Sequence, residues 1–233
     1  MPSVPVADCA SAPAGGSAHL SLEEAALCLR RGGVLVFPTE TLYALGCLAT
    51  DSRAVERVYQ IKRRSVHKPL PLLAADAEQA GAVVHLAALP PELAAFWPGP
   101  LSVLLPALPS LPLPLRNARG LAALRVTSHP QAAALARAAG CPLTASSANF
   151  RDAAPACLLQ DLDTDLLDAL TAASPLPGRC PLLSGHPQPA GGKPSTLVEP
   201  LPKKPGGQKA LRVLRPGAVP EKALEDAGFF LVR

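Results

Sequence analysis

An α/β fold is the class this sequence predicts, and three observations carry the prediction. Val34-Leu35-Val36-Phe37 is a continuous apolar run of the kind buried on both faces of a sheet. Similar short runs alternate along the chain with segments of helical spacing, as the elements of an α/β domain do. Polar clusters stand where elements end: Pro38-Thr39-Glu40-Thr41 after Phe37, Lys62-Arg63-Arg64 with Lys68-Pro69 after a helical pattern, and Ser146-Ser147-Ala148-Asn149 after Pro142-Leu143-Thr144-Ala145. Loops at strand ends are where α/β folds hold ligands, because a rigid sheet positions them while they stay open to solvent.

The elements follow in order. Ser21-Leu22-Glu23-Glu24 is a capping box, so a helix runs from there to about Arg31, and Gly32-Gly33 stops it before the strand Val34 to Phe37. Val55, Val58, Tyr59 and Ile61 give a helix over Ser52 to Lys62 with Arg53, Glu56, Arg57 and Gln60 turned to solvent. A strand at Leu70 to Leu73, a helix from Asp76 to about His85 and a helical turn or two at Pro91 to Phe96 come next. Strands at Leu101 to Leu105 and Leu121 to Val126 precede an alanine-rich helix, Gln131 to Ala139, ended by Gly140. Leu143 to Ala145 reads as a strand, Leu162 to Leu170 as a helix, and Pro181 to Leu183, Ser195 to Val198 and Leu211 to Leu214 as strands before a closing helix from Glu221. Strand order does not follow from one sequence.

The 233 residues suffice for one large domain, expected over 18–233 behind a flexible tail over 1–17. Hydrophobic residues make up 48% and charged residues 17%, with no apolar run long enough to span a membrane, so a cytoplasmic protein is expected. The tail lacks the basic start and apolar middle of a secretory signal. A net charge of +4 is far from the dense cationic field of a dedicated nucleic-acid binder. Six scattered cysteines without a Cys-x-x-Cys pair read as free, largely buried thiols. The proline clusters Pro106 to Pro114, Pro175 to Pro189 and Pro200 to Pro205 read as stiff surface connections.

Each polar cluster has a plain reading beside a functional one. Thr39 and Thr41 offer hydroxyls on one side of an extended chain, or make an ordinary turn; Glu40 between them is a base or an exposed loop carboxylate, the second being commoner. Lys62, Arg63, Arg64 and Lys68 taken alone make a solvated basic turn more readily than a phosphate site. Arg125 differs, because a charge inside the apolar strand Leu121 to Val126 must be paired or must bind something. Ser146, Ser147 and Asn149 are ligand groups or local caps. Gly191-Gly192-Lys193-Pro194-Ser195-Thr196 is not a phosphate loop, because Pro194 separates Lys from Ser. No motif of a zinc hydrolase or a dehydrogenase occurs.

Taken together and in order, these segments resemble the YrdC-like threonylcarbamoyl-AMP synthases. The matching stretches are Gly32 to Gly46, Lys62-Arg63-Arg64 with Lys68-Pro69-Leu70, Trp97-Pro98-Gly99-Pro100-Leu101, Leu124-Arg125-Val126 before His129-Pro130, Pro142 to Asn149, Pro194-Ser195-Thr196-Leu197-Val198 and Leu214-Arg215-Pro216-Gly217. The resemblance implies a twisted mixed sheet with flanking helices around an open basic cavity. It implies that L-threonine, bicarbonate and ATP, with Mg²⁺ accompanying the nucleotide, give threonylcarbamoyl-AMP and pyrophosphate. A separate transferase machinery then uses that product to modify an adenosine of certain tRNAs. By motif position, Lys62, Arg64, Ser147, Asn149, Ser195 and Arg215 would hold ATP, Thr39 and Arg125 would hold threonine, and Lys62 and Arg64 would stabilise charge during the reaction; no residue is assigned to a protein-held metal. This chain departs from the family at Ala44, where Gly is usual, and at Phe150-Arg151-Asp152, where Ser-Gly is usual. Rival readings are a non-catalytic module for double-stranded RNA or tRNA, disfavoured by only eight aromatic residues, and a carbamoyl-transfer domain of the kind found in larger hydrogenase-maturation enzymes.

Overall fold

The computed structural model describes residues 19–150, 153–202 and 206–232. The expected tail over 1–17, Cys9 and Arg151-Asp152 lie outside them. Helix α1 (Leu22–Arg30) starts at Ser21, whose hydroxyl accepts from the Glu24 amide while the Glu24 carboxylate accepts from the Ser21 amide. Gly32, in the left-handed region at φ 77°, turns the chain into β1 (Leu35–Pro38). A tight hairpin returns it as β2 (Tyr43–Gly46), a strand that the sequence did not announce. Then follow α2 (Ser52–Ile61), β3 (Leu72–Ala74), the short helices α3 (Ala77–Gly81) and α4 (Pro91–Ala94), β4 (Leu101–Pro106), β5 (Leu121–Val126) and α5 (Pro130–Ala139). The remaining elements are β6 (Leu143–Thr144), β7 (Ser146–Ser147), α6 (Thr164–Ala172), β8 (Thr196–Leu201), β9 (Lys209–Arg215), α7 (Glu221–Asp226) and β10 (Phe229–Val232).

Two sheets result. One has the order β1-β2-β7 and is antiparallel throughout; the other is mixed, with seven strands in the order β10-β9-β8-β4-β5-β3-β6. Strand β1 is buried on both faces, as its composition predicts: Leu35 and Phe37 pack with α1 and α5, while Val36 faces the larger core shared by α2 and the seven-stranded sheet. Arg125 and Thr127 come out on the same side at the end of β5, two residues apart.

Some expectations need correction. Pro181 to Leu183 is not a strand; it contributes a single bridge, Leu182 to Val36, because the proline-rich chain around it supplies no ladder. The helix expected to reach His85 ends at Gly81, since Val84 turns out to pair with Ala107 and the His85 amide donates to the Pro106 carbonyl, drawing the chain onto the edge of β4. Pro106 and Pro200 lie within β4 and β8 rather than in surface connections. Helix α6 starts two residues later than predicted because Asp163 caps it, accepting from the Leu166 amide. The five described cysteines are free, as expected, but Cys141, Cys157 and Cys180 are only partly buried.

The two sheets meet where the chain leaves β2. Cys47 and Thr144 exchange hydrogen bonds, and a Cβ on Gly46 would sit 1.8 Å from the Thr144 carbonyl oxygen. Only glycine permits that approach of backbone to backbone. Gly46→Ala should therefore lower unfolding stability in urea by about 3 kcal/mol, well beyond an ordinary small-residue exchange.

Candidate functional site

The site lies in the gap between the two sheets, and each wall has a local cause. On one side is the β1–β2 hairpin. The Thr39 hydroxyl donates to the Leu42 carbonyl (2.7 Å) and the Thr39 amide donates to the same oxygen (3.1 Å), so the turn is locked by its own threonine. Thr41 Oγ1 lies 3.3 Å from Thr39 Oγ1. The Thr39 hydroxyl is thus engaged on both counts inside the turn, its proton given to Leu42 and its oxygen accepting from the amides of Thr41 (3.4 Å) and Leu42 (3.3 Å), so its part is to fix the shape of the hairpin that lines the cavity.

Helix α2 delivers the cations. Its last turn closes as a Schellman motif: the Arg64 amide donates to the Tyr59 carbonyl and the Arg63 amide to that of Gln60, with Arg63 in the left-handed region at φ 47°. That reversal turns Lys62 and Arg64 inward while Arg63 and Lys68 stay exposed, so the expected solvated basic turn is only half correct. The Lys62 ammonium is buried and donates to the carbonyls of Ser147 and Asn149, each at 2.5 Å. Burial away from water, reinforced by the Arg64 charge, brings it down to about 8. Arg64 anchors one edge by donating from Nε to the Lys68 carbonyl (2.9 Å) and from Nη2 to that of Pro69 (3.2 Å).

The Ser-x-Asn turn is internally bonded, with Ser147 Oγ donating to Asn149 Oδ1 and Asn149 Nδ2 donating to the Ala153 carbonyl, both at 2.5 Å. Across the gap, Arg215 at the end of β9 donates to the Ser195 carbonyl (2.8 Å from Nη2) and hydroxyl (3.0 Å), and Ser102 of β4 holds that hydroxyl from behind at 3.0 Å. Arg125 donates from Nε to Glu40 Oε1 at 2.7 Å, and Thr127 Oγ1 donates to Glu40 Oε2 at 2.5 Å.

Seven of the eight residues that the resemblance assigns to ligands, namely Thr39, Arg64, Arg125, Ser147, Asn149, Ser195 and Arg215, line one cavity of about 270 Å³, together with Thr41 and Ser146. Lys62 lines a neighbouring pocket of about 260 Å³ that shares Arg64, Ser147 and Asn149 with it. Ala44 also lines the main cavity and is not at positive φ, so alanine fits where the family usually has glycine. Phe150 forms part of the neighbouring pocket. Among the described residues, no group of three or more His, Cys, Asp or Glu side chains could hold a metal ion.

Three guanidiniums therefore share one small volume. Desolvation lowers Arg215 below its usual value, and the charges of Arg125 and Arg64 lower it further. An anion entering the cavity removes that repulsion, and hydroxyls and an amide surround the space where it would lie. Sequence reasoning missed the counter-charge. Glu40 is not an exposed loop residue but is largely buried against Arg125; burial alone would raise its carboxyl, yet the Arg125 charge and the Thr127 hydroxyl bring it below the ordinary carboxylate value. The available signal was Arg125 itself, which required a partner, with Thr127 two residues on. Ser102 gave no signal that separates it from any strand serine.

A family model described as "Telomere recombination" (Sua5, YciO and YrdC) matches residues 28–217. A threonylcarbamoyl-AMP synthase of Chromobacterium violaceum is 48% identical over 52% of this chain and 64% of its own length. Another, of Alkalilimnicola ehrlichii, is 38% identical over 71% of this chain and 88% of its own. The crystal structure of P. abyssi Sua5 complexed with L-threonine superposes with a TM-score of 0.72 at 28% identity, over 91% of this chain and 58% of that one. The match spans less than two thirds of the C. violaceum protein and of the Sua5 chain. No helix among the described residues is long and apolar enough to cross a membrane.

The Arg63 conformation gives a stability test of this geometry. Arg63→Gly relieves a left-handed non-glycine residue, and even after the extra freedom of glycine in the unfolded chain it should raise stability by about 0.5–1 kcal/mol in urea unfolding.

Proposed function

The chain belongs to the Sua5/YciO/YrdC family, and on that footing we propose that it is an L-threonylcarbamoyladenylate synthase, a nucleotidyltransferase that makes threonylcarbamoyl-AMP and pyrophosphate from L-threonine, bicarbonate and ATP. The observation that carries the reading is the convergence of Arg64, Arg125 and Arg215 with hydroxyl and amide groups in one cavity, with Lys62 beside it. The names borne by the bacterial relatives, and the threonine in the Sua5 complex, support the choice of substrates.

The chemistry calls for such a site. The threonine amine and bicarbonate first form a carbamate with loss of water. A carbamate oxygen then attacks the α-phosphorus of ATP, and pyrophosphate leaves. Nucleophile and target are both anionic, so bringing them together needs fixed cations more than it needs a base. In this reading Lys62, Arg64 and Arg215 neutralise the triphosphate and the departing pyrophosphate, while Ser147, Asn149 and Ser195 orient it. Arg125 grips the threonine carboxylate, and Thr39, through the hairpin it locks, forms the wall against which the amino acid lies. Mg²⁺ enters as part of the nucleotide substrate, bound through phosphate oxygens. The product is passed to a transferase that modifies tRNA, in the cytoplasm.

Two measurements test this. Purified protein with ATP, Mg²⁺ and bicarbonate should release pyrophosphate only when L-threonine is present, and Lys62→Ala or Arg64→Ala should lower kcat/KM by about 100-fold or more. Release independent of threonine would point to another acceptor. The second is a pH dependence. Because Lys62 sits at about 8 when the site is empty, its cation is present below that pH and lost above it. ATP binding should weaken up to about tenfold between pH 7 and pH 9, and Lys62→Arg, which stays charged, should remove that weakening.

A further inference from the structure

The cavity has a charge asymmetry that the proposed reaction does not by itself require. Among the described residues, Arg125 alone of its three arginines is paired with a carboxylate: Glu40 accepts from Nε at 2.7 Å, and both side chains are nearly withdrawn from solvent. Arg64 and Arg215 are instead anchored by neutral groups, the carbonyls of Lys68, Pro69 and Ser195 and the Ser195 hydroxyl. The Glu40 carboxylate is held as firmly as the arginine. Thr127 Oγ1 donates to its second oxygen while accepting from the His129 amide at 3.1 Å, and the backbone on either side is tied down by the Ala190 amide on the Glu40 carbonyl (3.4 Å) and the Gly191 amide on the Thr41 carbonyl (2.8 Å). Because Glu40 occupies Nε, the Nη groups are the donors that Arg125 keeps for the cavity it lines.

We infer that Glu40 sorts the two anionic substrates: it fixes Arg125 for a single carboxylate and, by its own charge, keeps polyphosphate out of that end of the cavity and on the side of Arg64 and Arg215. This rests on the synthase reading for the identity of the carboxylate ligand. The physical argument is general. An unpaired guanidinium in a desolvated cavity attracts the most highly charged anion available, and a nucleotide triphosphate outranks an amino acid. One fixed negative charge beside Arg125 reverses that ranking locally, since a polyphosphate is repelled in proportion to its charge and a monocarboxylate far less. Glu40 does not line the cavity, so it acts through Arg125 as a positioning residue.

The test compares Glu40→Gln, which removes the charge and keeps the shape, with Glu40→Asp, which keeps the charge and loosens the clamp. Calorimetric binding of inorganic pyrophosphate needs no turnover. Glu40→Gln should bind it several-fold to about tenfold more tightly than the wild type, and Glu40→Asp should bind it as the wild type does. In turnover, both substitutions should raise the threonine KM by about tenfold while kcat stays within about threefold, and in Glu40→Gln pyrophosphate should become competitive with threonine. Unchanged or weaker pyrophosphate binding by folded Glu40→Gln overturns the proposal. So does a collapse of kcat with both substrates still bound, which would make Glu40 a base. If Glu40→Gln does not fold, Glu40→Asp decides: a raised threonine KM at an unchanged melting temperature supports the role, and a wild-type KM overturns it. A wild-type protein without threonine-dependent turnover refutes the function proposed above, yet leaves the pyrophosphate comparison able to judge Glu40.

Discussion

The ion pair between Glu40 and Arg125 joins the two sheets at the place where they would otherwise stand apart. Glu40 sits at the tip of the β1–β2 hairpin in the three-stranded sheet, and Arg125 on β5 near the middle of the seven-stranded one. The cavity is the space left between them. Its walls are set by that bond at one end and at the other by the close passage of Gly46 over Thr144. A buried pair of this kind is poor evidence for added stability, because desolvating both charges offsets much of their attraction. Its value lies in geometry: few other arrangements satisfy both oxygens of the carboxylate and Nε of the guanidinium together, so the sheets have one preferred separation.

The anchoring of the remaining cations follows one design. Each is bonded at its rear by backbone carbonyls or a hydroxyl, which are rigid and carry no net charge. Lys62 rests on the carbonyls of the Ser147 to Asn149 turn, Arg64 on those of Lys68 and Pro69, and Arg215 on Ser195 backed by Ser102. Neutral anchors orient a cation without cancelling it. Side chains placed this way lose little further entropy when a ligand arrives, which is the structural content of preorganisation.

Much of this was legible in the sequence because the physical signals were local. The capping box at Ser21 and Glu24, the glycine stop at Gly140 and the doubly buried run at Leu35 to Phe37 depend on a few adjacent residues. Arg125 was legible for the opposite reason, as a charge where an apolar strand should continue. What escaped depends on partners distant in sequence. Strand β2 is short and ends on Gly46, and its pairing with β7 exists only once the chain from Ser146 has come back. Strand β10 lies after Gly228 at the end of a compact parallel crossover through α7, with four residues and no alternation to mark it. Glu40 looked like a loop carboxylate because nothing near it in sequence demands a cation; its partners are 85 and 87 residues away.

The cavity gathers desolvated cations that repel one another, and that feature links stability to function. Lys62 has a depressed pKa, as do Arg64 and Arg215, all chiefly because their charged forms are desolvated. A lysine lowered in this way destabilises the fold fully below about pH 8, where it is charged in both states; the penalty fades as the pH rises toward its ordinary value, and a polyanion offsets it by stabilising the charged form. Relief of the repulsion that the fold had built in adds to the binding free energy of the triphosphate. The cost of desolvating the cations is carried by folding rather than by binding, and the cations are already aligned when pyrophosphate begins to leave. A site that held its arginines paired with carboxylates throughout would be more stable and would bind the same anion less well. Among the described residues only Arg125 has such a partner, and it is the arginine whose proposed ligand is a single carboxylate.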